Sequence, residues 1–184
     1  MNFLAHIYLS FDNRDLTLGN FIADHIKGRD YRRYPKSIQD GILLHRAIDA
    51  YTDTHPIARN SSRRLHSRHS HYSRVIVDVY YDHFLARNWK TYSPVPLEDY
   101  TSRFYDMAYA SFDMLPPGIQ GFLPFMVRDN WLLNYADLSG IEKVLKGLDR
   151  RAGPRSRMDE AVTDLEKHYG EFESEFQHFF EELI

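Results

Sequence analysis

The chain has no cysteine in its 184 residues. That absence excludes a disulfide scaffold, thiolate zinc sites and a cysteine nucleophile together. No apolar run approaches the ~20 residues that span a bilayer. The opening MNFLAHIYLSF is apolar but carries His6 and lacks a positive n-region and a long h-region, so it does not read as a targeting segment. A reducing, cytoplasmic setting with no membrane partner is the expectation. An excess of one charge is also missing. The net charge of −3 argues against a generally basic nucleic-acid binder. G-x-S-x-G, G-x-G-x-x-G, a phosphate-cradling glycine loop and H-E-x-x-H are all absent.

What is present is histidine, ten times, beside 26 acidic residues. Any metal must therefore sit on nitrogen and oxygen ligands. The 43% hydrophobic content suffices for a buried core. The length fits one domain of ~100–200 residues, expected to cover 1–184.

The dominant period is helical. Ile38, Ile42, Leu44, Ile48 and Tyr51 fall on one broad face, with Pro35 near its start and Pro56 just past its end. Further helices are expected over 72–89, 96–115, 120–135, 140–148 and 156–183. Val75-Ile76-Val77 is a possible strand seed, but the helical pattern on both sides argues against it. The RRAGPRSR stretch at 150–157 reads as a loop before an acidic amphipathic helix packed through Leu165, Tyr169, Phe172, Phe176, Phe179 and Phe180. The fold class expected is all-α, with seven or eight helices.

Charge is unevenly spread. Arg59, Arg63, Arg64, Arg68 and Arg74 lie in an acid-free stretch with His66, His69 and His71, whereas nine acids and one lysine follow Met158. A positive block of this kind is either a solvated helix face or a surface that steers an acidic partner. His55, His66, His69 and His71 are expected to be exposed or partner-facing.

Three segments place aspartate and histidine inside apolar helical patterns. His45, Asp49 and Asp53 are spaced by four and stack along one helix face. Asp78 and Asp82 share another face, with His83 next to Asp82, and Asp24-His25 form the third group. Burying such groups unpaired is costly, so each is either hydrogen-bonded within the fold or recruited to an ion. Their repetition favours a histidine/carboxylate metal site, since packing alone has no reason to repeat the pattern.

NFLAH at 2–6, GNFIAD at 19–24, HRAIDAYTD at 45–53 and DHFLARNW at 82–89, continued by WLLNY at 131–135 and AGPR near 153, resemble the bacterial acyl carrier protein phosphodiesterases. The likeness spans nearly the whole chain. It implies an HD-domain-like helical bundle related to the HD phosphohydrolases. It also implies hydrolysis of the phosphodiester joining 4′-phosphopantetheine to a serine of holo-acyl carrier protein, and dependence on a divalent cation, Mn²⁺ before Mg²⁺ or another ion. One departure concerns ligand order: HD enzymes run His then Asp, whereas the adjacent pairs here are Asp24-His25 and Asp82-His83. Under this resemblance Asp24, His45, Asp82 and His83 are the candidate metal ligands, with Asp49 completing or orienting the set. His6 is a candidate proton donor or further ligand, Arg46 a candidate phosphate partner with an Arg–Asp pair as its alternative, and Asp53 structural. Arg59, Arg63, Arg64 and Arg68 are the candidate contacts for the acidic carrier protein, with Arg29, Arg32 and Arg33 as alternatives. Two competing readings are a phosphohydrolase of the same fold acting on a nucleotide or other small phosphoester, and a non-catalytic carrier-protein binding module.

Overall fold

Helix α5 (Ser73–Arg87) is the axis of the molecule, buried on nearly every side through Ile76, Val77, Val79, Tyr80, Tyr81, Phe84 and Leu85. A helix apolar all round belongs inside a protein, and this one carries Val75-Ile76-Val77 as helix rather than strand. The computed structural model describes residues 1–153 and 155–184. Among them every regular element is helical, so the fold is all-α.

In chain order the elements are α1 (Phe3–Tyr8), α2 (Arg14–Ile22), α3 (Lys36–Thr54), α4 (Pro56–His69), α5, α6 (Trp89–Tyr92), α7 (Leu97–Ala110), α8 (Pro117–Arg128), α9 (Trp131–Asn134), α10 (Leu138–Ala152), α11 (Ala161–Lys167) and α12 (Tyr169–Leu183). Two expected helices are broken. Asn130 takes a left-handed φ of 43°, which asparagine tolerates, and splits 120–135 into α8 and α9. His168 separates α11 from α12 within 156–183. The α1 turn, short and apolar, gave no period to read.

Two contacts set the architecture around the centre. Glycines at the crossing of α2 and α3 bring the two backbones together. A Cβ on Gly19 would lie 2.2 Å from the Ile38 carbonyl, and one on Gly41 would lie 2.3 Å from the Leu16 carbonyl. Opposite, α12 buries Phe172, Phe176, Phe179 and Phe180 completely, against Tyr80, Tyr81 and Phe84 of α5. The acidic helix α12 also runs beside the basic helix α4. Glu175 accepts both Arg64 guanidinium nitrogens at 2.7 and 2.8 Å, and Asn60 at 2.6 Å. Part of the charge asymmetry is therefore neutralised internally.

Two histidines expected outside are inside. His55 ends α3 in the extended conformation that a following proline demands, and its Nδ1 accepts the Ile57 N–H as a cap for α4. His69 bonds Asp164 at 2.8 Å, where Arg68 also donates at 2.7 Å, fastening α4 to α11. No helix among the described residues is long and apolar enough to cross a membrane.

Candidate metal centre

The α2–α3 crossing carries the residues that converge. Asn20 follows Gly19 and is wholly buried. Its side-chain amide donates to the His6 carbonyl at 2.8 Å and to Ser10 Oγ at 3.1 Å. Its own carbonyl accepts His45 Nδ1–H at 2.9 Å. One residue thus ties α1 to α3 and orients the His45 ring, leaving Nε2 as the nitrogen that faces the carboxylates. Asn20 was not singled out in the sequence. Its only signal was a polar residue between apolar neighbours in GNFIAD.

Around this tie, His6 of α1 stacks on His45 with ring centroids 3.9 Å apart. Asp49, one turn beyond His45, lies between them, with Oδ1 3.2 Å from His6 Nε2 and Oδ2 3.1 Å from His45 Nε2. Ligand atoms of His6, His45 and Asp49 all fall within 4.8 Å of one another. Separations near 3 Å match the spacing of neighbouring ligands around an ion held at about 2.1 Å. His6 supplies the sharper observation. Both its ring nitrogens are buried without a hydrogen bond, although Nε2 lies at ion-pair distance from Asp49. Buried polar atoms are rarely left unbonded, and a cation is one partner that resolves this case.

The electrostatics separate the two rings. Burial drives the His6 pKa down to about 4, leaving a neutral imidazole. For His45 burial works the same way, but hydrogen bonds to Asp24 and Asp49 outweigh it and lift the pKa to about 9. Asp49 resists its own burial because His45 and His6 hold its carboxylate well below the usual range. Two imidazoles and a carboxylate suit a borderline divalent cation, and because ligation needs neutral rings the ion must displace the proton that Asp24 and Asp49 hold on His45. The Met1 amino nitrogen stands 3.0 Å from Asp78 and 3.8 Å from Asp49 at the edge of the cluster.

The other candidates are distributed differently. Asp24 reaches His45 Nε2 at 3.1 Å but leaves its side chain 68% exposed, at the mouth of the site. Its neighbour His25 is exposed and packs near Phe122. Arg46 does not make the Arg–Asp pair: it donates to the Ile26 carbonyl at 3.0 Å, stacks over Tyr31 and pairs with no carboxylate among the described residues. It clamps the segment that carries Asp24. Asp53 lies 3.5 Å from Arg74 and accepts Arg59 through its carbonyl.

Asp82 and His83 are not in the convergent set. The Asp82 carboxylate accepts the backbone N–H groups of Asn2, Leu4 and Ala5 at 3.3, 2.7 and 3.2 Å, capping α1 from α5. Burial raises its pKa to about 7 against the pull of those donors. His83 donates Nδ1–H to the Tyr135 carbonyl at 2.7 Å and accepts the Tyr169 hydroxyl on Nε2 at 2.8 Å. Neither has a lone pair aimed at His45. They hold the frame on which His6 stands.

A family model described as acyl carrier protein phosphodiesterase matches residues 1–183. The chain belongs to this family. An acyl carrier protein phosphodiesterase of Photorhabdus laumondii subsp. laumondii is 34% identical over 98% of this chain and 91% of its own length. Proteins of the same name from Salmonella paratyphi A and Enterobacter sp. (strain 638) are 30% and 29% identical over the whole chain and 96% of theirs. No solved structure matches significantly. In this family member the His6–His45–Asp49 cluster is the only grouping among the described residues in which three metal-ligating side chains converge.

Proposed function

We propose that the protein is a divalent-metal-dependent phosphodiesterase that cleaves 4′-phosphopantetheine from the serine of holo-acyl carrier protein, releasing apo-carrier protein. The observation that carries this is the unbonded, buried His6 facing His45 and Asp49, in a chain matched end to end by the family. His6, His45 and Asp49 would hold the ion, with Mn²⁺ preferred. When bound, it supplies Lewis-acid polarisation of the phosphoryl oxygen and a more acidic water. Asp24, exposed at the mouth and fixed by His45, takes a proton from the attacking water. Arg46 keeps Asp24 in place through Ile26, and Asn20 keeps His45 Nε2 aimed at the centre.

The acidic protein substrate docks on the cleft between α4 and α5. This cleft, about 550 Å³, is lined by Arg59, Arg63, His66, His71 and Arg74 and reaches Asp53 and Asp78 beside the centre. Arg64 and Arg68 are committed to Glu175, Asp164 and Glu160 and serve the fold instead. Exposed charges are screened over ~8 Å at physiological ionic strength, so KM for carrier protein rises with salt. A KM that stays flat would refute the docking surface.

The decisive experiment is mass spectrometry of holo-carrier protein incubated with enzyme and Mn²⁺, beside a nucleotide panel. Loss of the prosthetic arm is expected. An intact arm under several metals, or preferential nucleotide hydrolysis, overturns the reading.

A further inference from the structure

A second cavity, about 570 Å³, opens between α1, α9 and α10. Phe3, Trp131 and Tyr135 give the lining its aromatic share, and Phe122, outside the lining, joins the first two. Phe3 meets Phe122 at 5.8 Å, and Phe122 stacks on Trp131 at 6.0 Å. The cavity adjoins the centre through the start of the chain: Phe3 lies one helical turn before His6, and Asn2 follows Met1, whose amino nitrogen stands 3.8 Å from Asp49. The rim carries Lys143, Arg150 and Arg151, which form no ion pair among the described residues, unlike the committed arginines of α4.

Two glycines of α10, two turns apart, line the cavity. Gly140 is required by packing, since a Cβ there would sit 1.9 Å from the Asn134 carbonyl. Gly147 is not, because a Cβ there meets nothing within 4 Å. A glycine in the middle of a helix costs roughly 0.5–1 kcal/mol relative to alanine. At Gly147 no neighbour accounts for that cost, and the space before it is open.

We infer that this cleft receives the pantetheine arm while the phosphodiester sits at His6, His45 and Asp49. The inference rests on the phosphodiesterase reading above. The arm is an extended, uncharged chain with two amides. It calls for an apolar wall and a few amide partners, and the lining offers the side-chain carbonyls of Asn2 and Asn134, whose NH₂ groups already donate to the Tyr135 hydroxyl and the Asp129 carbonyl. The unpaired cations of the rim favour an anionic ligand through their field, while the phosphate itself stays at the metal centre, where its charge grows when hydrolysis turns the diester into a monoester. Free 4′-phosphopantetheine therefore binds more tightly than pantetheine, which lacks the phosphate.

The test compares Gly147→Phe, which fills the cleft, with Gly147→Ala, which leaves it open. In each Mn²⁺-loaded enzyme the kcat/KM for holo-carrier protein is divided by that for bis(4-nitrophenyl) phosphate, a diester without the arm. The ratio should fall at least tenfold in Gly147→Phe and stay within twofold of wild type in Gly147→Ala. Saturation-transfer NMR on pantetheine and 4′-phosphopantetheine, which needs no turnover, should give a signal with wild type and Gly147→Ala and none with Gly147→Phe. An unchanged ratio in Gly147→Phe overturns the inference, and so do equal losses on both diesters, which would assign Gly147 to the fold. Should wild type leave holo-carrier protein intact, the phosphodiesterase reading fails by itself. The NMR still decides the cleft, and absence of transfer from both ligands would refute it.

Discussion

Two aspartate–histidine groups lie in helices that meet α1, and only one of them converges with a third metal-ligating side chain among the described residues. On α3, His45 Nε2 and the Asp49 carboxylate meet each other, and no backbone group, in a space shared with an unbonded His6. On α5, Asp82 and His83 have spent their polar atoms on Asn2, Leu4, Ala5, Tyr135 and Tyr169. Residue type and apolar surroundings are the same. What separates a ligand from a scaffold residue is whether the backbone has already claimed its lone pairs. The α5 helix is buried on nearly all faces, so its polar groups had to be satisfied internally. The α3 face opens to solvent at Asp49, beside the exposed Asp24.

The largest expected effect tests that division directly. His45→Ala or Asp49→Ala should abolish turnover and Mn²⁺ binding, with helix content by circular dichroism unchanged. Asp24→Ala should abolish turnover while leaving Mn²⁺ bound. His83→Gln should retain Mn²⁺ affinity within a few-fold. If His83→Gln strips the metal as completely as His45→Ala does, the assignment of α5 to the frame is wrong.

Next in size is the crossing that delivers the α3 group. Gly41→Ala places a methyl 2.3 Å from the Leu16 carbonyl and 2.9 Å from Gly19 Cα, both backbone atoms with little freedom to yield. Overpacking of this kind costs ~1–3 kcal/mol or more. The upper end is expected here, together with weakened Mn²⁺ binding, because Asn20 and His45 are positioned across the same contact. Denaturant melts of Gly41→Ala and of Gly147→Ala, where space is open, provide the control. Equal stability of the two would contradict the close approach.

How much of this division was legible in the sequence follows from the same physics. The long amphipathic helices were, since a one-sided apolar period records burial directly. His45 and Asp49 were visible as a spaced pair on a face, and His6 as a histidine in an apolar start. Their convergence was not, because it depends on Gly19 and Gly41 letting two backbones touch, and a glycine in sequence does not say what it approaches. Asp82 and His83 looked equally good as ligands, since spacing reports direction along one helix and not the N–H groups of another. Charge misled in a similar way. Arg64 and Arg68 read as partner contacts until α12 and α11 supplied Glu175 and Asp164.

Asp82→Asn sharpens the contrast from the α5 side. An amide keeps the shape but can accept through only one oxygen, so its NH₂ opposes one of the three backbone donors it replaces. Leaving a buried donor unsatisfied costs ~1–3 kcal/mol. The loss should appear as a lower melting temperature, with Mn²⁺ still bound, since the ligands themselves are intact. A variant of unchanged stability that no longer binds Mn²⁺ would place Asp82 back among the ligands.

The smallest effect concerns His83 and pH. Burial lowers its pKa, and both its bonds fit the neutral ring: Nδ1–H gives to the Tyr135 carbonyl and Nε2 receives from Tyr169. The unfolded chain, with an ordinary histidine pKa of ~6.5, therefore binds a proton more readily than the folded one. By linkage, stability from this residue is fully present above that value and is lost as pH falls through the lower folded value. The destabilisation caused by His83→Gln should accordingly be larger at pH 7.5 than at pH 5, read as the difference in melting temperature between variant and wild type at each pH. Differencing the two proteins cancels the remaining titrating groups, His6 and His45 among them, to the extent that they are uncoupled from His83. A difference that grows on acidification would mean that His83 is charged in the folded protein. A charged ring cannot accept the Tyr169 hydroxyl, and the satisfied half of the comparison would then hold an unspent group of its own.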